Sequence, residues 1–568
     1  MKEILKLAVL LKLIFLFCLF AYAQNTAQTN RSNSDMTAEK WREDLRFLAK
    51  TLEQVHPAPY KKISREDFQT EIKRLSDNIP KLSREKIITR MMQLTALLRD
   101  GHTTLKPLGA NGFNLWFPIR FYEFTDGVYV TAVAPEHKEL LGKKIVRIGN
   151  LPVLEAARKA ASVKSADNNF AEKEGIQYLS NAVALHSLDI INNTGILPVT
   201  YEKTDGSLAE IFVESVEIPL QSDSWMYWGE MFSPPQLETI AFHNLPAKEF
   251  RAGRKDLPLH LRERLPYWYE ILDDGKTIYM QFNFVQNWGD ENFAAFYKRM
   301  FAEADRLQTK RFILDIRYNS GGDGSMLLPF VHEFIKREYL NQSGKIFTLV
   351  GRKTFSAGVM LAALMNKHTE SVFVGEPMGA PLNHFGDAGQ ISLPNSKLSL
   401  QVSRIYHQLS SSDDTSRYFS IDIPAVFTAE SYFAGRDAAL EAIEQSARNK
   451  SIPDLFLSAG SKAALDEYKR RAALYQNVDW WRPFSEEKMN HTGYELLEKK
   501  RIDDAVAAFE LNAKHYPQSW NVWDSLAEAY MAKGDREKAI LFYERSLKLN
   551  PLNSNAVKMI SAININKK

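Results

Sequence analysis

The chain has 568 residues, more than one hydrophobic core organises, so about two to four domains are expected. Apolar residues make up 45% and charged residues 25%, the balance of ordinary folded protein rather than of a disordered or fibrous chain. A net charge of +3 gives no electrostatic footprint for nucleic acid.

Lys2 and Lys6 precede an apolar run from Leu7 to Phe20, and Ala21-Tyr22-Ala23 forms a small-residue cleavage site. That is the pattern of a signal peptide over 1–23, with Gln24 as the mature N-terminus. An uncleaved anchor is the alternative, but the run is short for a span. The single cysteine, Cys18, lies inside this segment, so cleavage removes any disulfide, thiol nucleophile or Cys-ligated zinc. No later apolar run is long enough to cross a bilayer. An exported, soluble protein, periplasmic or extracellular, is expected.

Asn25 to Asp35 reads as a flexible leader. Trp41, Leu45, Leu48 and Leu52 then recur at helical steps, until His56-Pro57 breaks them. Two more helices are expected around Phe68 to Leu75 and Ile87 to Leu97, completing a helical domain over 37–108. Its end, Arg99-Asp100-Gly101-His102-Thr103-Thr104, delivers His102 from a helix terminus. Phe113 to Tyr122 and Gly127 to Ala134 alternate like strands. Helices are expected at Leu154 to Ala161 and Ala171 to Ile191, and strands at Leu197 to Glu202 and Ala209 to Val216. The Trp-rich stretch from Gln221 to Pro266 reads as a packed linker, because Trp225, Trp228 and Phe232 need burial. Tyr267 to Leu272 and Thr277 to Phe282 form a hairpin across an Asp-Gly turn, followed by a helix over Phe293 to Leu307.

The central stretch follows. Phe312 to Ile316 is a short buried strand ending in Tyr318-Asn319-Ser320-Gly321-Gly322-Asp323-Gly324, whose glycines allow a sharp turn that aims N–H groups at a ligand. A helix with Leu327, Phe330, Val331 and Phe334 on one side comes next, then a second buried strand, Ile346 to Val350. Thr354-Phe355-Ser356-Ala357-Gly358 opens another apolar helix, so Ser356 stands at a strand-to-helix corner beside unpaired N–H donors. Acyl transfer needs a nucleophile and two N–H groups that meet the carbonyl oxygen as it becomes charged; here the donors would be those of Gly322 and Ala357. The plainer alternative makes Ser356 a helix N-cap and the glycines an ordinary turn.

These residues carry a resemblance. Asp315-Ile316-Arg317-Tyr318-Asn319-Ser320-Gly321-Gly322 is similar to the D-L-R-x-N-x-G-G signature of the tail-specific (C-terminal processing) serine peptidases, family S41, and Thr354 to Gly358 resembles their nucleophile turn. Gly375-Glu376-Pro377 after the Val372 to Val374 strand is also similar. The resemblance covers roughly Ala38 to Ile443. It implies an α/β catalytic domain of ClpP/crotonase-like ββα type over 267–448 and peptide or protein substrates, with no cofactor and no metal. Leu140 to Val153 resembles the second half of a degenerate PDZ-like module within a β-insert over 109–220, which would bind peptide or be purely structural.

The better-known members use a lysine downstream of the serine, but Ala380 to Phe385 holds none. The tricorn-like and retinoid-binding-like branch carries a histidine in a D-G-H-T context, which implies His102 as general base; the serine before that histidine is Gly101 here. His384 is the rival base. In that branch a glutamate on a late loop holds the histidine; Asp413 or Asp414 would serve, or form a solvated acidic loop. Asp315 and Arg317 are expected to fix the glycine loop. The resemblance also allows a ligand-binding protein without proteolysis on the same fold.

Gly379 to Asp387 reads as a loop, Gln390 to Leu393 and Leu398 to Ile405 as strands, and Gly435 to Glu441 as the start of a closing helix. Beyond a helical linker at 449–489, Pro517 and Pro551, Ala505 and Ala539, and Phe509 and Tyr543 are each separated by 34 residues, the tetratricopeptide period. Two units, His491 to Asn521 and Val522 to Asn555, lie within the 490–568 tail; they would bind a protein partner or only stabilise the body.

Overall fold

The computed structural model describes residues 36–107, 113–217, 240–241, 245–246, 257–262, 265–412, 414, 416–446 and 450–565. The signal segment, the leader, and Trp225, Trp228 and Phe232 of the packed linker lie outside these residues. Among the described residues no helix is long and apolar enough to cross a membrane. The described residues fall into two compact units. One holds those up to Glu123, those of Gly127–Ala247, and His384–His407; the other holds Phe124–Asp126 and those of Lys248–Asn383 and Gln408–Lys568.

The first unit opens with helices Ala38–Val55, Arg65–Asn78 and Arg84–Ala96. Thr37, Ser64 and Ser83 start them by accepting from the N–H three residues on. The Trp41, Leu45, Leu48 and Leu52 stripe enters one hydrophobic core with Val130, Ile148, Leu197 and Val199 from the strands that follow. Ile145–Ile148 and Leu151–Pro152 pair antiparallel, and the sheet continues through Ile196–Glu202 to Leu208–Glu214. Residues 384–407 belong to this unit. Thr104–Lys106 pairs with Ser399–Val402, which pairs with Gly389–Ser392. Leu393, Leu398, Leu400 and Val402 complete the core.

Three expectations are corrected here. Ala171 to Ile191 is not one helix but Asn169–Lys173, a 3₁₀ segment Glu174–Ser180, and Ala182–Ser187. Gly175 packs so tightly on Ala161 that a Cβ would lie 2.5 Å from its Cα, and Asn181 breaks the run by capping the last piece through the Ala184 N–H. His384 is not in a loop: His384–Gly386 is a short strand paired with Ile405–His407. Leu398 to Ile405 is two strands, because Ser403 turns aside to donate its hydroxyl to Asp100 and its N–H to Thr103.

The second unit carries a six-stranded sheet. Tyr267–Leu272 pairs antiparallel with Thr277–Phe282, and Arg311–Asp315, Ile346–Val350, Val372–Gly375 and Ile423–Pro424 follow in parallel. The central strands are buried on both faces, which explains their unbroken apolar runs. Helices Phe293–Leu307, Leu327–Ile335 and Ala357–His368 connect them. In the tail, helices starting at 486, 520 and 554 recur at a step of 34, as do those starting at 502 and 536. Gly493 is the small residue at a close contact: a Cβ there would meet the Phe509 ring at 2.4 Å. Ile452 and Phe456 of the preceding helix Ile452–Ala459 join the same core.

Candidate active site

The corner after Ile346–Val350 is built by Thr354. Its hydroxyl donates to the Ile316 carbonyl and accepts from the Gly351 N–H, binding this turn to the end of the neighbouring strand. Phe355 donates its N–H to the Asn319 carbonyl at 2.8 Å. Ser356 follows with φ 52° and ψ −123°, a conformation that costs an L-residue roughly 1–3 kcal/mol and that surrounding structure must enforce. It occupies the N-cap position of Ala357–His368, yet its side chain makes no capping hydrogen bond. The plain N-cap alternative is therefore not what is observed.

The glycine loop lies against this serine. Asn319 is fully buried, donates to the Phe282 carbonyl and accepts from the Gly321 N–H. Val285 donates to the Gly321 carbonyl and accepts from the Asp323 N–H, a parallel bridge that turns the N–H of Gly322 away from Val285. Gly321 and Gly322 have φ of 115° and 127°. A Cβ on Gly321 would lie 2.7 Å from the Ser356 Cβ and 3.1 Å from its hydroxyl oxygen, so only glycine admits this approach. Among the described residues, neither the Gly322 nor the Ala357 N–H has an acceptor. Ala357 follows the half-buried Ser356 in the chain and Gly322 follows the glycine that packs on its side chain, an arrangement that can stabilise an oxyanion.

Beneath the loop, the buried Asp315 carboxylate accepts from the Arg317 N–H and guanidinium and from the Tyr279 hydroxyl. Arg317 also forms a two-pronged pair with Asp437, and His260 approaches Asp437 to 3.0 Å. Burial opposes the charge on Asp437, but Arg317 and His260 overcome it and hold the carboxyl far below the usual range. Asp315 and Arg317 do anchor the start of the loop. Asp437 and His260 were not foreseen; the only hint of Asp437 was its place before the closing helix, where it accepts from the Ala439 N–H.

The two candidate bases lie in the other unit. His102 follows Arg99, at φ 50°, and Asp100, whose carboxylate accepts the His102 N–H at 3.0 Å. The rings of His102 and His384 stack with centroids 6.0 Å apart, and His384 lies 5.4 Å from His407. His384 is 2% exposed, whereas His102 is half-buried. Burial lowers the His102 pKa, with Asp100 opposing and His407 assisting. Asp413 lies outside the described residues. Asp414 accepts from the Ser416 N–H and donates its own N–H to Ser411, so one carboxylate oxygen is committed to its turn. Among the described residues no group of three or more His, Cys, Asp or Glu side chains is arranged to hold a metal ion.

A family model described as tetratricopeptide repeat matches residues 520–553. No curated protein sequence matches the chain. Among solved structures, a CPAF point mutant aligns with a TM-score of 0.51 at 12% identity, covering 73% of this chain and 98% of that one. Mature CPAF complexed with lactacystin aligns at 0.49 and 13%, covering 72% and 98%. The photosystem II D1 C-terminal processing protease aligns at 0.32 and 12%, covering 72% and 97%. The observed architecture is the expected mixed one: an N-terminal helical region, a central sheet domain and a helical repeat tail.

Proposed function

We propose that this protein is an exported serine endopeptidase of the tail-specific type. Ser356 attacks the scissile carbonyl while its proton passes to a ring nitrogen of His102. The new oxyanion accepts from the Gly322 and Ala357 N–H groups. Collapse breaks the C–N bond, and His102 returns the proton to the leaving amine. Water then attacks the acyl-enzyme and gives a proton to His102, which passes it to the Ser356 oxygen as the acyl C–O bond breaks, restoring the serine and freeing the new carboxylic acid.

The observation that carries this reading is the serine itself. A residue held in a strained backbone conformation, with its hydroxyl not spent on the helix end it caps, is poised for use rather than for packing. Burial supports a His102 that is neutral near pH 7 and able to accept a proton. His102 is preferred to His384 because the latter is enclosed between two other imidazole rings. Asp413, or the Asp414 oxygen not engaged by the Ser416 N–H, is a candidate for a further group that holds the base. In this reading the catalytic domain is 267–448 less the stretch 384–407, which belongs to the first unit, and the repeat tail is a surface for a protein partner.

Fluorophosphonate labelling and hydrolysis of an unstructured polypeptide test the assignment. The wild type labels and cleaves; Ser356→Ala loses both with an unchanged melting curve, and His102→Ala labels more slowly by orders of magnitude. A wild type that neither labels nor cleaves would leave a ligand-binding role on the same fold.

A further inference from the structure

We infer that Asp100, clamped by His56, positions and polarises His102; this rests on His102 being the general base. The Asp100 carboxylate is completely buried. One oxygen accepts the main-chain N–H of His102, and the other accepts from the hydroxyls of Thr103 and Ser403 and faces His56 Nε2 at 3.1 Å. Four donors from three separate stretches of chain converge on one carboxylate, more than a surface turn needs.

His56 is fixed at both nitrogens. Its Nδ1 accepts the Ala58 N–H at 3.1 Å, so the ring proton sits on Nε2 and points at Asp100. The ring packs on Phe385 at 4.4 Å, and no lone pair is left for proton transfer. His56 is therefore a donor to Asp100 and not a base in its own right.

The charges around His102 identify Asp100 as the group that matters. Burial is the largest influence and, with His407, opposes a protonated ring; Asp100, Asp387 and a main-chain hydrogen bond at Phe385 favour it, and His384 stacks against it. Asp387 is exposed and engages His407 at 3.3 Å. Asp167 accepts from the Gly101 N–H, but burial and the Asp100 charge push its carboxyl up to about 8, so it is protonated near neutral pH. Burial also opposes ionisation of Asp100, yet hydrogen bonds from His56, Ser403 and Thr103 hold its carboxyl below the usual range. Asp100 is thus the buried carboxylate that stays charged. It aims the ring through the main chain and stabilises the imidazolium formed when Ser356 gives up its proton.

Two measurements test this. In the Ser356→Ala protein, the His102 ring is titrated by NMR with and without Asp100→Asn. Loss of the charge should lower the midpoint by about one pH unit or more. An unmoved midpoint overturns the proposal, whatever the state of catalysis. In the active protein, His56→Ala should lower kcat about tenfold or more at unchanged KM, and His56→Gln, which keeps a donor, should recover most of it. Full kcat in His56→Ala also overturns it, and decides the matter if Asp100→Asn does not fold. Full activity in His102→Ala would instead sink the assignment of the base.

Discussion

Gly321→Ala probes the junction between the glycine loop and the serine. Two costs are built into it. An alanine at φ 115°, beyond the left-handed helical region, is strained by roughly 1–3 kcal/mol. Its Cβ would also stand 2.7 Å from the Ser356 Cβ, where ordinary contact begins at 3.4 Å, so the serine side chain or the loop must move by several tenths of an ångström. Gly344→Ala separates the two, since it too has positive φ, 76°, but meets nothing within 4 Å. Gly344→Ala should lower Tm by a few degrees, from about 1–2 kcal/mol, and leave turnover unchanged. Gly321→Ala should cost more stability and cut fluorophosphonate labelling about 10²-fold, since a displacement near 1 Å is enough for that. The two are compared by thermal melts and labelling time courses. If Gly321→Ala labels at the rate of Gly344→Ala, the loop does not seat the nucleophile and the reasoning fails.

Ser356→Gly should abolish activity yet raise Tm, because relief of about 1–3 kcal/mol of backbone strain exceeds the roughly 0.5–1 kcal/mol entropic cost of glycine; a lower Tm would contradict the strain. Asp437→Asn breaks a buried ion pair and should destabilise by about 3–5 kcal/mol in denaturant melts. Because the Asp437 carboxyl is depressed on folding, its contribution is complete above about pH 4 and lost as pH falls toward the folded value, so the gap from wild type should shrink in acid. Asp167 has the opposite sign. Its carboxyl is raised to about 8, so its contribution is complete below about pH 4 and lost as pH climbs to 8; Asp167→Asn should gain stability relative to wild type across that window. The acid limb of kcat/KM should lie below about 6.5, because burial depresses His102; a limb above that value would point to another base.

The sheet unit was the most legible part of the sequence. Buried parallel strands read as short apolar runs, and the Tyr267–Leu272 and Thr277–Phe282 hairpin was marked by alternation around an Asp-Gly turn. The serine corner and the glycine loop were readable because each is local, a few residues whose types dictate backbone shape. Long-range partners were not. Arg317 and Asp437 are 120 residues apart, and nothing near either announces the other. His56 looked like a helix breaker because its partner, Asp100, lies 44 residues on. Ala171 to Ile191 read as one helix because apolar content conceals the Gly175 contact with Ala161, which exists only after folding. The pairing of Thr104–Lys106 with Ser399–Val402 had no signal in either stretch.

That last pairing limits how the protein can be taken apart. The chain lends residues 384–407 to the unit of the N-terminal helices before returning to complete the sheet with Ile423–Pro424. A fragment beginning near 248 would carry Leu393, Leu398, Leu400 and Val402 as a greasy hairpin stripped of its cover, prone to aggregate. A fragment ending there would lack the strand that Thr104–Lys106 zips onto. Swapping either lobe between relatives would succeed only if the borrowed hairpin travelled with its host.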